Sequence, residues 1–179
     1  MLDRENTVLV VVDVQEPFLR SLFERDRVVN NVTKLVRAAS ILGVPIIATL
    51  QNKARMGGVI PEIAELLPDG EAIDKMTFSC CGESSFIDSI DSLGWNQVLL
   101  CGLETHVCLN QTAHDLKSRG HEVHIAADAV SSRKESDWKF GIERLRQAGI
   151  VITTTEMAIF ELLRDAAAPE FKRILEIVK

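Results

Sequence analysis

The stretch Val98-Leu99-Leu100-Cys101-Gly102-Leu103-Glu104-Thr105-His106-Val107-Cys108 passes from a short apolar run, through a glycine, into Leu109-Asn110-Gln111-Thr112-Ala113-His114-Asp115-Leu116. The run reads as a buried parallel strand and the continuation as a helix, with Gly102 marking the exit from the sheet. Cys108 then falls near the first turn of a helix that starts at the carboxyl end of a strand, where open α/β sheets bind ligands. A thiol there meets the positive end of the helix dipole, which favours thiolate. Cysteine is also among the most buried residues and commonly serves as a small hydrophobe, so position alone does not separate a nucleophile from core.

Outward from this stretch the same alternation repeats. Thr7-Val8-Leu9-Val10-Val11-Val12-Asp13 is valine-rich and lacks alternation, as a central strand covered on both faces should be, and it ends in a carboxylate. From Asp26 to Leu42, Val29, Val32, Leu35, Val36, Ala39 and Leu42 recur at helical spacing, and Gly43 stops the helix. Val44 to Leu50 predicts a second strand with Pro45 at its start, and Gln51 to Gly58 a polar loop. A short helix is expected over Ile60–Leu67, a brief strand over Glu71–Lys75, and a helix from Ser84 to Leu93. After the Gln97–Leu100 strand and the Cys108 helix, which Gly120 closes, Glu122–Ala129 reads as a fifth strand and Glu135–Ala148 as a helix presenting Trp138, Ile142 and Leu145. Ile150–Thr154 is a sixth strand, and Glu156–Arg164 and Pro169–Val178 are closing helices. Strand and helix in strict alternation predict an α/β fold, with a six-stranded, mainly parallel sheet in a three-layer α/β/α sandwich.

At 179 residues, 46% apolar and with a net charge of -6, the chain reads as a single domain, 1–179. The charge offers no basic stripe to displace counterions from phosphates, which argues against nucleic acid. No apolar run reaches the roughly 20 residues needed to span a bilayer. The start, Met1-Leu2-Asp3-Arg4-Glu5-Asn6, lacks the layout of a signal peptide. Four cysteines, none in a C-x-x-C pair, resemble neither a disulfide framework nor a zinc site; the neighbours Cys80 and Cys81 read as reduced thiols, so a cytoplasmic location is expected.

Asp13, Lys75 and Cys108 each lie at or just past the carboxyl end of an expected strand, where parallel strands would gather them above the sheet. Alone, Asp13 could bind loop N–H groups, and Lys75 could be a solvated charge. Together, Val11-Val12-Asp13-Val14-Gln15, Lys75 with Phe78-Ser79, and Gly102-Leu103-Glu104-Thr105-His106-Val107-Cys108 resemble the isochorismatase-like cysteine hydrolases. The likeness runs on through Gln111-Thr112-Ala113, Val123 to Arg133 and Thr153-Thr154-Thr155-Glu156, nearly the whole chain. Within that superfamily it looks most like the small isochorismatase-domain proteins also found in animals.

The resemblance implies a catalytic triad of Asp13 as general base, Lys75 as the cation that keeps Asp13 and thiolate ionised, and Cys108 as nucleophile. It also implies backbone oxyanion donors at Glu104 and Cys108, with a non-proline cis bond between Leu103 and Glu104. Gln15 and Phe18 are expected to border the pocket. His106 either lines the pocket and orients a loop, or packs on its neighbours. Nicotinamidases of the superfamily carry metal-holding aspartate and histidines after the second strand, whereas Gln51-Asn52-Lys53-Ala54-Arg55-Met56 has no histidine or carboxylate. Isochorismatases that cleave a vinyl ether lack the nucleophilic cysteine. The expectation is therefore a hydrolase without cofactor or metal, acting on a small amide, ureido or related C–N compound. The rival reading is a non-catalytic protein that binds a metabolite or a partner; a flavodoxin-like nucleotide binder is weaker still, with no G-x-G-x-x-G and no P-loop. The resemblance further implies a homo-oligomer, a dimer or larger, and the late apolar positions Phe160, Leu163, Phe171 and Ile174 suit either an interface or the cover of the sheet.

Overall fold

A computed structural model describes residues 1–68 and 72–179. Six strands, β1 (Thr7–Val12), β2 (Ile46–Gln51), β3 (Ile73–Lys75), β4 (Gln97–Leu103), β5 (Glu122–Ser131) and β6 (Val151–Thr153), form one sheet in the order β3-β2-β1-β4-β5-β6. Every pairing between them is parallel. The sheet reverses its winding between β1 and β4, which places the switch point, and the crevice above it, at the ends of the two central strands.

Alternation along β1 explains the three layers. Leu9 and Val11 pack on one face with Leu35, Val36 and Ala39 of α2 (Arg25–Leu42) and with the closing helices. Val8, Val10 and Val12 pack on the other face with Phe86, Ala113, Leu116, Ile142 and Leu145, which come from later helices. Every β1 residue from Val8 to Val12 is at most 1% exposed. Burying each such side chain contributes about 1.5–3 kcal/mol, so β1 is the spine of the domain. α2 ends as expected at Gly43, which adopts φ 72° and returns its N–H to Ala39.

Several boundaries differ from the sequence reading. A single-turn helix, α1 (Glu16–Leu19), follows β1, and another, α3 (Lys53–Met56), stands in the segment expected to be a polar loop; four residues carry too little periodicity to be read. The helix expected over Ile60–Leu67 is reduced to α4 (Pro61–Ala64). Glu71, the expected start of β3, lies outside the described residues.

β4 runs past Leu100 through Gly102 to Leu103, although a glycine usually marks an exit. Gly102 has φ 109°, and a Cβ there would overlap the Val12 carbonyl, so its bare backbone lets β1 and β4 meet. β5 does not end at Ala129 but continues to Ser131, with its register against β4 shifted between Leu100 and Gly102. The displaced Asp128 holds the first residue of α8 (Thr155–Leu163): its Oδ1 accepts from the Thr155 N–H at 2.7 Å and the Thr155 hydroxyl at 3.0 Å.

The remaining helices are α5 (Ser84–Leu93), α6 (Asn110–Ser118), α7 (Glu135–Gln147) and α9 (Phe171–Val178). Leu163 and Ile174 are core residues that cover the sheet, and Phe160 alone of the four late positions stands exposed. Among the described residues no helix is long and apolar enough to cross a membrane.

Candidate active site

Asp13 is the first residue beyond β1 and takes a left-handed conformation, φ 51°, which aspartate tolerates better than most residues. It is 1% exposed, and both carboxylate oxygens are engaged. The Thr49 hydroxyl donates to Oδ1 at 2.8 Å, and Lys75 Nζ donates to Oδ2 at 2.7 Å. β3 carries Lys75 opposite Gln51 in register, so the Gln51 Oε1 accepts from the same ammonium at 2.8 Å. The carbonyls of Thr77 and Phe78, each at 3.2 Å, complete the cage around it. A buried cation is tolerable only when paired and hydrogen-bonded this fully.

Cys108 sits in a wide helical turn, Thr105–Leu109, that joins β4 to α6. The Val107 and Leu109 N–H groups donate to the Glu104 carbonyl at 3.1 and 3.3 Å, a pattern that passes over Cys108. The Leu103–Glu104 peptide is cis. The turn can lie close against α7 because Gly141 has no side chain: a Cβ there would be 2.9 Å from Thr105 Cγ2 and 3.3 Å from the His106 nitrogen.

Burial pushes the Cys108 thiol up from an ordinary 9.0 to about 12; the Asp13 carboxylate beside it acts in the same direction, and Lys75 opposes. Burial and the neighbouring carboxylate thus act against the thiolate that the helix dipole is expected to favour. Loss of water and a neighbouring negative charge outweigh the dipole of one short turn. Both causes favour a neutral Cys108 thiol with a carboxylate at hand.

The four expected members of the surrounding shell separate. Phe18 borders a cleft of about 470 Å³ with Pro17, Ser21, Met56, Phe78, Val107, Glu104 and Arg133. Gln15 does not border it. It is fully buried, its Nε2 donating to the Gly57 carbonyl at 2.8 Å and the Gln51 carbonyl at 3.3 Å while its Oε1 accepts from the Gln51 N–H at 2.8 Å. That clamp fixes the end of β2, and with it Gln51. His106 is half-buried and points to the end of β5, its Nδ1 2.9 Å from the Ser132 hydroxyl. Glu104 is buried at the cleft wall, with Oε1 accepting from Arg133 N–H at 3.0 Å and Nε at 3.1 Å. Thr49, Gln51 and Arg133 were not singled out from the sequence, because each looks like an ordinary strand or loop residue. Only the register between strands reveals what they hold.

A larger groove of about 620 Å³ runs along α7, between Glu135 and Arg146, and none of the triad borders it. Asp13, Lys75 and Cys108 do not line the smaller cleft either, but one of its walls is Val107, next to Cys108 in the chain. Cys80 is buried 3.8 Å from the Thr49 hydroxyl, and all four cysteines are free.

The profile of the Isochorismatase domain matches residues 7–157. The chain belongs to the isochorismatase family. It is 41% identical over 179 residues to isochorismatase domain-containing protein 2 of Danio rerio, covering 99% of this chain and 89% of that one. It is 40% identical over 178 residues to the secreted isochorismatase effector Isc1 of Phytophthora sojae, covering 97% and 85%. Among solved structures, the MAR1 ribonuclease of Caenorhabditis elegans superposes with a TM-score of 0.93 at 34% identity, covering 99% of this chain and 91% of that one. The octameric YcaC hydrolase of Escherichia coli, of unknown specificity, shares the fold with a TM-score of 0.87 at 23% identity, covering 98% and 94%. The family fold is that of a hydrolase.

Proposed function

We propose that this isochorismatase-family chain hydrolyses a small amide, ureido or related C–N substrate through an acyl-Cys108 intermediate. The observation that carries the reading is Asp13, a buried carboxylate held at one oxygen by Lys75 and at the other by Thr49, beside the thiol whose proton it would take. In this mechanism the substrate enters the cleft between Phe18 and Phe78. The thiol proton passes to Asp13 as sulfur attacks the acyl carbon. The acyl oxygen gains charge against the backbone N–H groups of Glu104 and Cys108. Asp13 then protonates the leaving nitrogen, and water, activated by the same carboxylate, releases the acid. Lys75 holds Asp13 in place throughout.

A second reading, a metabolite-binding protein without turnover, draws support from the protonated resting thiol. Turnover of a panel of small amides and ureido acids by wild type and Cys108→Ala separates the two. Activity lost in the variant supports the hydrolase; equal activity in both, or saturable binding with no product, overturns it. RNA belongs in the same panel, because the C. elegans relative bears the name ribonuclease. The free cysteines support placing the chain in a reducing cytoplasm. The exposed Phe140 and Phe160 support a homo-oligomer, a dimer or larger. A monomer in analytical ultracentrifugation would remove the oligomer from the proposal.

A further inference from the structure

The Glu104 carboxylate has no part in the proton transfers above, yet it is buried beside the reacting centre. Its Oε1 accepts two hydrogen bonds from one residue: the Arg133 main-chain N–H at 3.0 Å and the Arg133 Nε at 3.1 Å. Charge-assisted bonds of this kind are stronger than neutral ones and fix direction as well as distance. Residue 104 is thereby held from three sides. The chain holds it to the end of β4, whose Leu103 pairs with Ser131 of β5. Its carbonyl is held by the Val107 and Leu109 N–H groups. Its side chain is held by Arg133, just beyond β5. Among the described residues the Glu104 N–H has no acceptor. Three tethers and one free donor describe a group aimed at something outside the protein.

We infer that the Glu104 side chain is a positioning residue: by gripping Arg133 it holds the Glu104 N–H in line with the developing oxyanion. The inference rests on the proposed acyl transfer and adds a residue to it. Much of the grip comes from a main-chain donor, so it does not depend wholly on the identity of residue 133. It depends on an acceptor at residue 104, which glutamine also supplies and alanine does not.

Two reagents distinguish this role from a merely structural one. With p-nitrophenyl acetate, Cys108 sulfur bonds to the acetyl carbon, its proton goes to Asp13, and p-nitrophenolate leaves after the carbonyl oxygen has carried the charge. With iodoacetamide, sulfur displaces iodide from a saturated carbon, and no oxygen gains charge. Both rates are followed at Cys108 by mass spectrometry. Glu104→Ala is expected to lower acetylation about tenfold or more, since removing an oxyanion donor outright costs about 10²–10³. Its alkylation rate stays within about twofold of wild type, the change expected when the nucleophile itself is untouched. Glu104→Gln recovers most of the loss, and Arg133→Ala falls between the two. Unchanged acetylation in Glu104→Ala overturns the inference. So does an equal fall in both rates, which would mean the turn has collapsed. A Cys108→Ala protein that still turns over p-nitrophenyl acetate at the wild-type rate would instead remove the acyl-cysteine reading beneath it.

Discussion

Lys75 Nζ lies 2.7 Å from Asp13 Oδ2, and the two side chains are 0% and 1% exposed. One charge cannot be removed without stranding the other in the core. Breaking a buried pair from one side costs about 3–5 kcal/mol, whereas removing both charges costs much less. Lys75→Met should therefore lower stability by about that amount in urea unfolding. Adding Asp13→Asn should restore a large part of it. Asparagine is the suitable partner change because residue 13 is left-handed, at φ 51°. A double variant no more stable than Lys75→Met would show that the pair is not the source of the cost.

The thiol gives a pH prediction with a definite sign. With Cys108 held at about 12, alkylation by iodoacetamide should rise steadily through pH 8–10 without a plateau. Asp13 holds the thiol up, so Asp13→Asn should speed alkylation at pH 8 while slowing acyl transfer. Lys75 holds it down, so Lys75→Met should slow alkylation. The fold favours the neutral thiol, and this stabilising contribution is complete below the ordinary 9.0 and is lost as pH climbs towards about 12. Alkaline unfolding should start at higher pH in Cys108→Ala. A wild-type alkylation plateau near neutrality would contradict all of this.

Gly102→Ala should be among the most damaging single changes. A Cβ would lie 2.7 Å from the Val12 nitrogen and nearer still to its carbonyl, at a φ of 109°. The obstacle is backbone at the centre of the sheet, which cannot move aside as a side chain can. A loss of at least about 4 kcal/mol is expected, seen as insoluble protein or an early urea midpoint.

Gly141→Ala sets two effects against each other. Alanine gains about 0.8–1.0 kcal/mol in helix propensity, while overpacking against Thr105 and His106 costs about 1–3 kcal/mol. Stability should therefore change by no more than about 2 kcal/mol. The turn carrying Cys108 must shift, however, so acetylation by p-nitrophenyl acetate should fall well beyond what that stability change explains. Equal acetylation rates in the two proteins would dismiss the packing argument.

The layered fold was legible because unbroken apolar runs alternate with helical periodicity, and because Asp13, Lys75 and Cys108 follow three of the runs. What the residues do once assembled was less legible. A lysine in sequence reads as a surface charge, and only the pairing of β3 with β2 reveals the cage of Asp13, Gln51 and two carbonyls. Gln15 follows β1 and Asp13 closely, yet its amide is used up on backbone at the end of β2. Asp128 resembles Asp13 in following a strand-like run, but a shift of register turns it to the start of α8. The pull on the thiol's proton was only half legible, because the helix dipole can be read from a sequence and burial among neighbours cannot.

Among the described residues β3 has three residues and one neighbour, β2. Such margins are where sheets fray first. Here the margin also delivers the ammonium that Asp13 requires, so peeling it away would drag a positive charge out of the interior and leave a negative one behind. The edge is riveted from within by the bond between Lys75 and Asp13. The Asn52 amide, which donates to the Lys75 carbonyl at 2.9 Å, is therefore a gauge: its hydrogen exchange should keep pace with the loss of chemistry as the protein is warmed.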